Sequence, residues 1–160
     1  MPRRAQANKA DSCFTPLLRA DLGVRTAMNR QIQILIVEEE EQVRRLIATI
    51  LERAGYRTLS AADTAQALRT FSDTKPDLVL LDTNLPDASG WQLCRYLREV
   101  WDTPIVILSC AAQEEDLVRG LEAGADDYIT KPFGSRVLVA RIGAVLRRAS
   151  GERGGVRPAS

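Results

Sequence analysis

The 160-residue sequence contains no histidine, and this absence excludes several kinds of catalytic site. Without an imidazole, the chain cannot form a Ser-His-Asp or Cys-His nucleophile system, an HExxH metalloprotease site or a phosphohistidine carrier. Any chemistry that the chain performs must therefore use carboxylates, hydroxyls and amines.

Cysteines and long apolar runs are also scarce. The three cysteines, Cys13, Cys94 and Cys110, show no CxxC spacing, and an odd, scattered set suits a reducing cytosol better than a disulfide framework. No apolar run approaches the roughly 18 residues of a membrane span, and residues 1–30 lack the apolar core of a secretory signal. We therefore expect a cytoplasmic protein with no membrane partner.

The net charge of +1 conceals an uneven distribution along the chain. Residues 1–30 carry +4, residues 31–146 carry −6 and residues 147–160 carry +3. An acidic body is a poor nucleic-acid binder by itself, because such binding rests largely on the neutralisation of phosphates. We expect a basic, disordered tail over 1–30, one folded domain over 31–148 and a flexible tail over 149–160.

Short apolar runs alternate with segments of helical period. The runs are Ile32–Val37, Tyr56–Leu59, Leu78–Leu81, Ile105–Leu108 and Asp127–Ile129. The helical segments are Glu41–Ala54, Thr64–Phe71, Trp91–Val100, Glu114–Ala123 and Ser135–Arg148. Runs such as "LVLL" and "IVIL" are apolar at consecutive residues, which is typical of strands buried on both faces. The alternation predicts a doubly wound α/β fold with a parallel sheet and helices on both of its faces.

The first helical segment has apolar residues at the spacing of one helix face. They are Val43, Leu46, Ile47, Ile50 and Leu51. Gly55 follows the segment and fits the position just past a helix end. We therefore expect these five side chains to face the sheet and the helix to end before Gly55.

Polar side chains stand at the carboxyl ends of four predicted strands. Glu38 and Glu39 follow the first strand, Asp82 the third, Ser109 the fourth and Lys131 the fifth. Doubly wound sheets bind ligands outside the carboxyl ends of their strands, so these side chains should converge. Clustered carboxylates repel one another unless a hard cation such as Mg²⁺ joins them. With a cation and a lysine to neutralise a phosphoryl group, Asp82 can be the nucleophile that forms an aspartyl phosphate.

Each of these residues also has an interpretation without chemistry. Glu40 and Glu41 are favourable charges for the first turn of a helix. Taken singly, an acid after a strand is more often an N-cap or surface residue than a ligand, and Lys131 alone is most often solvated. Their coincidence at one edge of the sheet favours a joint site.

Three motifs occur together and in order: "PDLVLLDTNLPDASG", "TPIVILS" and "GLEAGADDYITKPF". With them the sequence resembles the response-regulator receiver family of two-component signalling, over Ile32 to about Arg148. In the particular residues of these motifs it looks like the OmpR/PhoB branch and the KdpE-like members of that branch. The resemblance implies a flavodoxin-like sheet of five parallel strands in the order 2-1-3-4-5, with five helices.

The resemblance implies a role for each matching residue of the metal site. Asp82 corresponds to the phosphoacceptor, and Glu38 and Glu39 correspond to the acidic pair that positions Mg²⁺. Asn84 corresponds to the position whose backbone carbonyl also binds the metal. The family's acidic pair is usually Asp-Asp or Glu-Asp, so Glu39 brings an extra methylene into a tight octahedral site. We therefore expect Mg²⁺ binding that is weaker than usual.

A second group of matching residues binds and senses the phosphoryl group. Ser109 and Lys131 correspond to the hydroxyl and the lysine that bind it. Ser109 and Tyr128 correspond to a switch pair, in which the aromatic ring turns inward when the hydroxyl residue moves toward the phosphoryl group. Lys131–Pro132 corresponds to a peptide bond that is usually cis, a geometry that X-Pro bonds permit. Cys110 stands where the family commonly has alanine or glycine, near the path of phosphoryl donors.

OmpR-type receivers dimerise through helix 4, strand 5 and helix 5, with three ion pairs between subunits. The matching positions here are Leu117, Asp126, Asp127, Val137, Arg141 and Arg148. The pairs Asp127–Arg141 and Asp126–Arg148 are retained, whereas the third pair is replaced by Leu117 and Val137. We therefore expect a weak symmetric homodimer; the alternative is that the two apolar side chains complete the core.

The implied function is a phosphorylation-dependent switch that accepts a phosphoryl group onto Asp82, with Mg²⁺, from a sensor histidine kinase or phosphotransfer protein. The chain is then a phosphoacceptor that assists its own phosphotransfer and dephosphorylation, not an enzyme. The alternative is a degenerate receiver that binds proteins independently of phosphorylation, because its acidic pair is Glu38-Glu39. A phosphatase is disfavoured, since Asn84 stands where a second aspartate is needed. No helix or strand pattern follows Arg148, so we expect output through an unidentified protein and no direct nucleic-acid binding.

Overall fold

The structure, a computed structural model, describes residues 30–110 and 114–154. Its five strands form one parallel sheet in the order β2-β1-β3-β4-β5. The strands are β1 (Gln33–Val37), β2 (Arg57–Ala61), β3 (Leu78–Asp82), β4 (Ile105–Ser109) and β5 (Asp127–Thr130). The helices are α1 (Glu41–Arg53), α2 (Thr64–Thr74), α3 (Gly90–Val100), α4 (Glu114–Glu122) and α5 (Ser135–Gly154). The predicted flavodoxin-like fold, with its strand order and five helices, is confirmed.

Two apolar cores lie on opposite faces of the sheet, because successive side chains of a strand point to opposite faces. In β1, Leu35 and Val37 join a core with α2 and α3, whereas Ile34 and Ile36 join a core with α1 and α5. All residues of β3 and β4 are buried. Burial of a Leu, Ile or Val side chain stabilises by about 1.5–3 kcal/mol relative to exposure, so runs of such residues favour the centre of the sheet.

One residue of α1 does not face the sheet as predicted. Ile47 and Leu51 are buried, and Val43 and Ile50 pack against the core at its edge. Leu46, in contrast, is 54% exposed, so the prediction for this residue is wrong. One residue turns an α-helix by about 100°, so a helix face that centres on Ile47 carries the preceding side chain toward solvent.

The predicted helix ends are right at Gly55 and wrong at Arg148. Gly55 follows α1 with φ 100°, a conformation that glycine adopts without strain. α5 continues past Arg148 to Gly154. Each residue added to an existing helix gains a hydrogen bond, and Gly151 inside the added segment costs only about 1 kcal/mol relative to alanine. The helix therefore extends into the segment for which we expected a flexible tail.

Other predictions about the ends of the chain fall beyond the part that the structure describes. Residues 1–29 and 155–160 lie outside it, so the predicted tails over these residues stay predictions. Among the described helices, none is both long enough and apolar enough to cross a membrane.

Gly90 allows α3 to begin directly against the end of β3. Its backbone N donates a hydrogen bond to the carbonyl oxygen of Thr83 at 2.9 Å. A Cβ at position 90 would lie 2.2 Å from the carbonyl oxygen of Asp82, so any larger residue must displace the helix or the strand end. Ser89 caps α3 by accepting a hydrogen bond from the backbone N of Gln92 at 3.2 Å.

Gly90→Ala should lower the free energy of unfolding by about 1–3 kcal/mol, because overpacking forces α3 away from the backbone of Asp82. Gly134→Ala is the matched control, since a Cβ at that position meets nothing within 4 Å. Urea unfolding of both variants measures the difference. Equal stability of the two variants would contradict the close approach of α3.

Candidate functional site

The polar strand ends meet at one cavity on the carboxyl edge of the sheet. Its volume is about 630 Å³. It is lined by Glu38, Glu39, Glu40, Asp82, Thr83, Asn84, Ser109, Cys110 and Lys131. The structure therefore brings together the carboxylates, the hydroxyl and the ammonium that the sequence places after separate strands.

Lys131 joins two buried carboxylates. Its Nζ donates to Glu38 Oε2 at 2.8 Å and to Asp82 Oδ2 at 3.3 Å. The backbone N of Lys131 donates to the carbonyl oxygen of Ser109 at 2.8 Å, which holds the lysine beside β4. The other oxygen of Glu38, Oε1, accepts from the backbone N of Glu40 at 3.1 Å. The side chains of Glu38 and Asp82 are only 3% and 6% exposed, so these contacts replace most of their hydration.

The ionised form of Asp82 is disfavoured in spite of Lys131. Burial, followed by the negative charge of Glu38, raises the pKa of Asp82 from 3.8 to about 6, against the lowering effects of the Asn84 backbone N–H and of Lys131. Burial also lowers the pKa of Lys131, but its hydrogen bond to Glu38 and the charge of Asp82 outweigh burial and raise it. The charged form of Lys131 is therefore stabilised chiefly by Glu38. Further positive charge near Asp82 would stabilise its ionised carboxylate.

The consecutive glutamates after β1 have different surroundings. Glu38 is buried, whereas Glu39 lines the cavity and is exposed. Arg44 fixes the backbone of both, because its Nη1 donates to the carbonyl oxygens of Glu38 at 2.7 Å and Glu39 at 3.2 Å. Glu41 lies in the first turn of α1, as predicted, and pairs with Arg45 at 2.7 Å. That exposed pair contributes only about 0.3–0.5 kcal/mol.

The loop after β3 closes the cavity on the side of β3 and β4. Thr83 Oγ1 donates to Ser109 Oγ at 3.1 Å, and the backbone N of Asn84 donates to Asp82 Oδ1 at 3.3 Å. Asn84 also forms an isolated bridge with Ser89. The start of this loop is therefore held both to the aspartate and to the end of the neighbouring strand.

The donor set fits a hard divalent cation. Glu38, Glu39 and Asp82 offer carboxylate oxygens in the cavity, and Asn84, whose backbone carbonyl is a metal ligand by the resemblance, also lines it. In the described part of the chain, no three acidic, cysteine or histidine side chains are arranged as a metal-binding group. Mg²⁺ is nevertheless usually bound through one or two carboxylates and several waters. The raised pKa of Asp82 favours such a cation, because added positive charge stabilises the carboxylate.

The charged residues of the predicted dimer face make contacts within the chain. Arg141 Nη1 lies 3.3 Å from each carboxylate oxygen of Asp127. The carboxylate of Asp126 pairs with Arg98 at 2.7 Å, whereas Arg148 donates to the backbone carbonyl of Asp126 at 3.2 Å. The ion pairs that we expected between subunits would therefore have to exchange with these contacts, and the dimer stays a prediction.

Tyr128, the predicted aromatic switch residue, and Val137 of the predicted dimer face are not among the residues that line the cavity. The Tyr128 ring stacks on Trp91, with 6.4 Å between ring centroids. Val137 is 49% exposed on α5, so it does not complete the core of one chain. The side chain of Leu117 lies outside the part that the structure describes.

Three residues near the cavity were not predicted from the sequence. They are Thr83, Arg44 and Gly90, and each had a weak signal: a hydroxyl next to Asp82, a basic residue one turn into the helix, and a glycine at a helix start. The Lys131–Pro132 peptide bond is cis, as the resemblance implied.

The response regulator receiver domain family matches residues 34–143 of this chain. The chain belongs to this family. The phosphate regulon transcriptional regulatory protein PhoB of Pseudomonas aeruginosa is 52% identical over 118 residues, which are 72% of this chain and 52% of that protein. The transcriptional regulatory protein CseB of Streptomyces coelicolor is 45% identical over 130 residues, which are 81% of this chain and 56% of that protein. These relatives place the receiver in the OmpR/PhoB branch.

Solved receiver structures share the fold. The BeF3-activated N-terminal receiver domain of RstA from Klebsiella pneumoniae superposes with a TM-score of 0.70 at 38% identity, covering 72% of this chain and 98% of that one. A two-component response regulator from Clostridium difficile superposes with a TM-score of 0.73 at 30% identity, covering 76% and 100%.

The receiver spans about half the length of the curated relatives it matches. Both of these relatives are named transcriptional regulators. This finding counts against our expectation of no direct nucleic-acid binding.

Burial of Asp82 should make the receiver less stable as the pH rises from about 4 to about 6. The folded chain holds this proton up to a pKa of about 6, against an ordinary value of 3.8. The folded state therefore binds more protons in this window, and the stability that they contribute is lost as they leave. At 1.36 kcal/mol per pKa unit, the loss is at most about 3 kcal/mol.

Asp82→Asn should consequently be more stable than the wild type at pH 7, with a smaller difference at pH 4. Urea unfolding at the two pH values measures this, and the exposed Asp102→Asn serves as the control. A ¹³C NMR titration of the metal-free wild type gives the pKa of Asp82 directly. A midpoint near the ordinary value would show that burial does not act as described.

Proposed function

We propose that this receiver is a phosphorylation-dependent switch, in which Asp82 accepts a phosphoryl group from a sensor histidine kinase or a phosphotransfer protein. The observation that carries the proposal is the contact of Lys131 with two buried carboxylates in one cavity. A buried acid whose pKa is raised, beside a lysine and a hydroxyl in one cavity, is typical of a reactive site.

The transfer needs a nucleophile and compensation for the charge of the phosphoryl group. An oxygen of Asp82 forms a new bond to phosphorus while the bond between phosphorus and the donor breaks, and the electron pair leaves with the donor, as acetate when the donor is acetyl phosphate. Lys131 neutralises phosphoryl oxygens, Glu38 keeps Lys131 in place, and Ser109 donates a hydrogen bond. Glu38, Glu39 and Asp82 would hold Mg²⁺, which would supply further positive charge to the transfer.

The output that we propose is control of transcription, the role named for the PhoB and CseB relatives. The location that we propose for the protein is the cytoplasm. The receiver would pass its signal on through protein contacts. Val118 and Leu121 on α4 are 43% and 58% exposed, and Val137 on α5 is 49% exposed. A weak homodimer through α4, β5 and α5 is the contact that we propose for these exposed apolar side chains.

Asp82→Asn should abolish phosphoryl uptake, because a neutral amide is not a nucleophile for phosphorus. Intact mass after incubation with Mg²⁺ and acetyl phosphate measures the adduct. Asp87→Asn changes another carboxylate in the same loop and should be phosphorylated like the wild type. An adduct that persists in Asp82→Asn would show that the nucleophile is assigned wrongly.

A degenerate receiver that binds proteins without phosphorylation is the second candidate. It is favoured by the exposure of Glu39 and by the absence of a three-acid group among the described residues. The two candidates differ in whether the site binds Mg²⁺ tightly enough to support phosphotransfer.

Glu39→Asp should tighten Mg²⁺ binding several-fold, because a shorter side chain suits the small octahedral ion better. Isothermal titration with Mg²⁺ measures the affinity. Glu40→Asp shortens a second glutamate of the same cavity and should bind like the wild type. Affinity that is unchanged or weaker in Glu39→Asp would contradict the steric argument. Phosphorylation of Glu39→Asp alone, with none in the wild type, would identify a degenerate receiver.

A further inference from the structure

An aromatic cluster joins three elements beside the phosphoacceptor strand. Trp91 in the first turn of α3 stacks on Tyr128 of β5, with ring centroids 6.4 Å apart and an interplanar angle of 21°. Gly120 of α4 lies against both rings, because a Cβ there would be 3.1 Å from Trp91 Cζ3 and 3.2 Å from Tyr128 Cδ2. Arg119 covers the Trp91 ring, with Cζ 5.9 Å from the ring centroid. A movement of either ring would therefore change the packing of α4.

The same cluster is connected to Asp82 through the backbone. Gly90, the residue before Trp91, donates its N–H to the carbonyl oxygen of Thr83 at 2.9 Å. A Cβ on Gly90 would lie 2.2 Å from the carbonyl oxygen of Asp82, so the start of α3 touches the end of β3 without an intervening side chain. A change in the backbone at Asp82 must therefore displace the start of α3 and the ring of Trp91.

The exposed surface of α4 lies next to the cluster, so a displacement of the two rings would change it. Val118 and Leu121 flank Gly120 and Arg119 on α4 and are 43% and 58% exposed. Tyr128 itself is partly buried against the core that α2 and α3 cover. A shift of its ring would thus alter both the packing of α4 and the position of these exposed apolar side chains.

We propose that Trp91 is a positioning residue that holds the Tyr128 ring against Gly120, and thereby couples occupancy of the phosphorylation site to the surface of α4 and β5. The coupling rests on the proposed function, because it needs a ligand at Asp82 as its input. It differs from a route through Ser109 and Tyr128 alone in requiring a residue of α3.

The two tryptophans of the chain provide a matched pair for a fluorescence test. Trp101 packs on Phe71, with 4.4 Å between ring centroids, and is not part of the cluster. In Trp101→Phe the remaining Trp91 should change its emission when Mg²⁺ and beryllofluoride occupy the site. In Trp91→Phe the remaining Trp101 should not. Equal responses of the two tryptophans would overturn the assignment of Trp91 as the coupled ring.

The position of Tyr128 can be measured directly with ¹⁹F NMR of fluorotyrosine-labelled protein. The sequence has three tyrosines, so Tyr56→Phe and Tyr96→Phe assign the Tyr128 resonance. In the wild type this resonance should shift with beryllofluoride. In Trp91→Leu it should be displaced without ligand and should lose most of its shift at the same beryllofluoride occupancy, and Trp91→Phe should restore part of that shift. An equal shift in the wild type and Trp91→Leu would show that Trp91 only fills space.

A glycine substitution tests the cluster from the side of α4. Gly120→Ala places a methyl group against both rings and should displace the Tyr128 resonance without ligand. Gly143→Ala is the helical control, since its Cβ would meet nothing nearer than Arg147 Nη1 at 3.5 Å. A Tyr128 resonance that is unchanged in both Gly120→Ala and Trp91→Leu would overturn the proposal whatever the site binds.

Failure of the proposed function has a different signature. It would appear as a wild type that takes up neither beryllofluoride nor a phosphoryl group. In that case the ligand-free spectra still decide whether Trp91 positions Tyr128, and the coupling to the site is refuted.

Discussion

The site depends on the bridge that Lys131 makes between Glu38 and Asp82. Two carboxylates that are almost fully buried would repel each other strongly, and desolvation of each costs several kcal/mol. The strand order permits the bridge, since β1 and β3 are adjacent at the centre of the sheet and Lys131 reaches them from the end of β5 across β4. The hydrogen bond from the backbone N of Lys131 to the carbonyl oxygen of Ser109 fixes the position of the lysine backbone.

Lys131 compensates the negative charge of the two carboxylates only in part, and the uncompensated charge favours reactivity at Asp82. Glu38 engages the lysine at 2.8 Å and Asp82 only at 3.3 Å. Burial and the charge of Glu38 therefore outweigh the effect of Lys131 and raise the pKa of Asp82. A carboxylate that lacks full compensation favours the arrival of a cation. A pKa of about 6 still leaves most of the Asp82 carboxyl ionised, and therefore nucleophilic, at neutral pH. The same feature that weakens the fold thus suits Asp82 to the phosphoryl transfer that we propose.

The strands and the site could be predicted from the sequence because both depend on strongly patterned residues. Consecutive apolar residues identify buried parallel strands, and the polar residue that ends each strand has to lie at one edge of the sheet. Features that depend on three-dimensional distance could not be predicted. Nothing in the sequence separates Leu46 from Ile47 on the face of α1, and nothing shows that Arg141 reaches Asp127 in its own chain. The need for Gly90 appears only when α3 meets Asp82.

The loop between β3 and α3 is fixed at a second point. Asp87 accepts hydrogen bonds from the backbone N of Thr64 at 2.9 Å and of Ala65 at 3.2 Å, at the start of α2. The hydrogen bond from the Thr64 backbone is the main reason that the pKa of Asp87 is lowered. Because Asp87 holds this side of the loop to α2, a backbone shift at Asp82 cannot easily be absorbed by movement of the loop. Lys131 contacts Asp82 directly, and Thr83 contacts Ser109. The start of α3, which touches Asp82 and carries Trp91, provides a separate path that leads to α4 and β5.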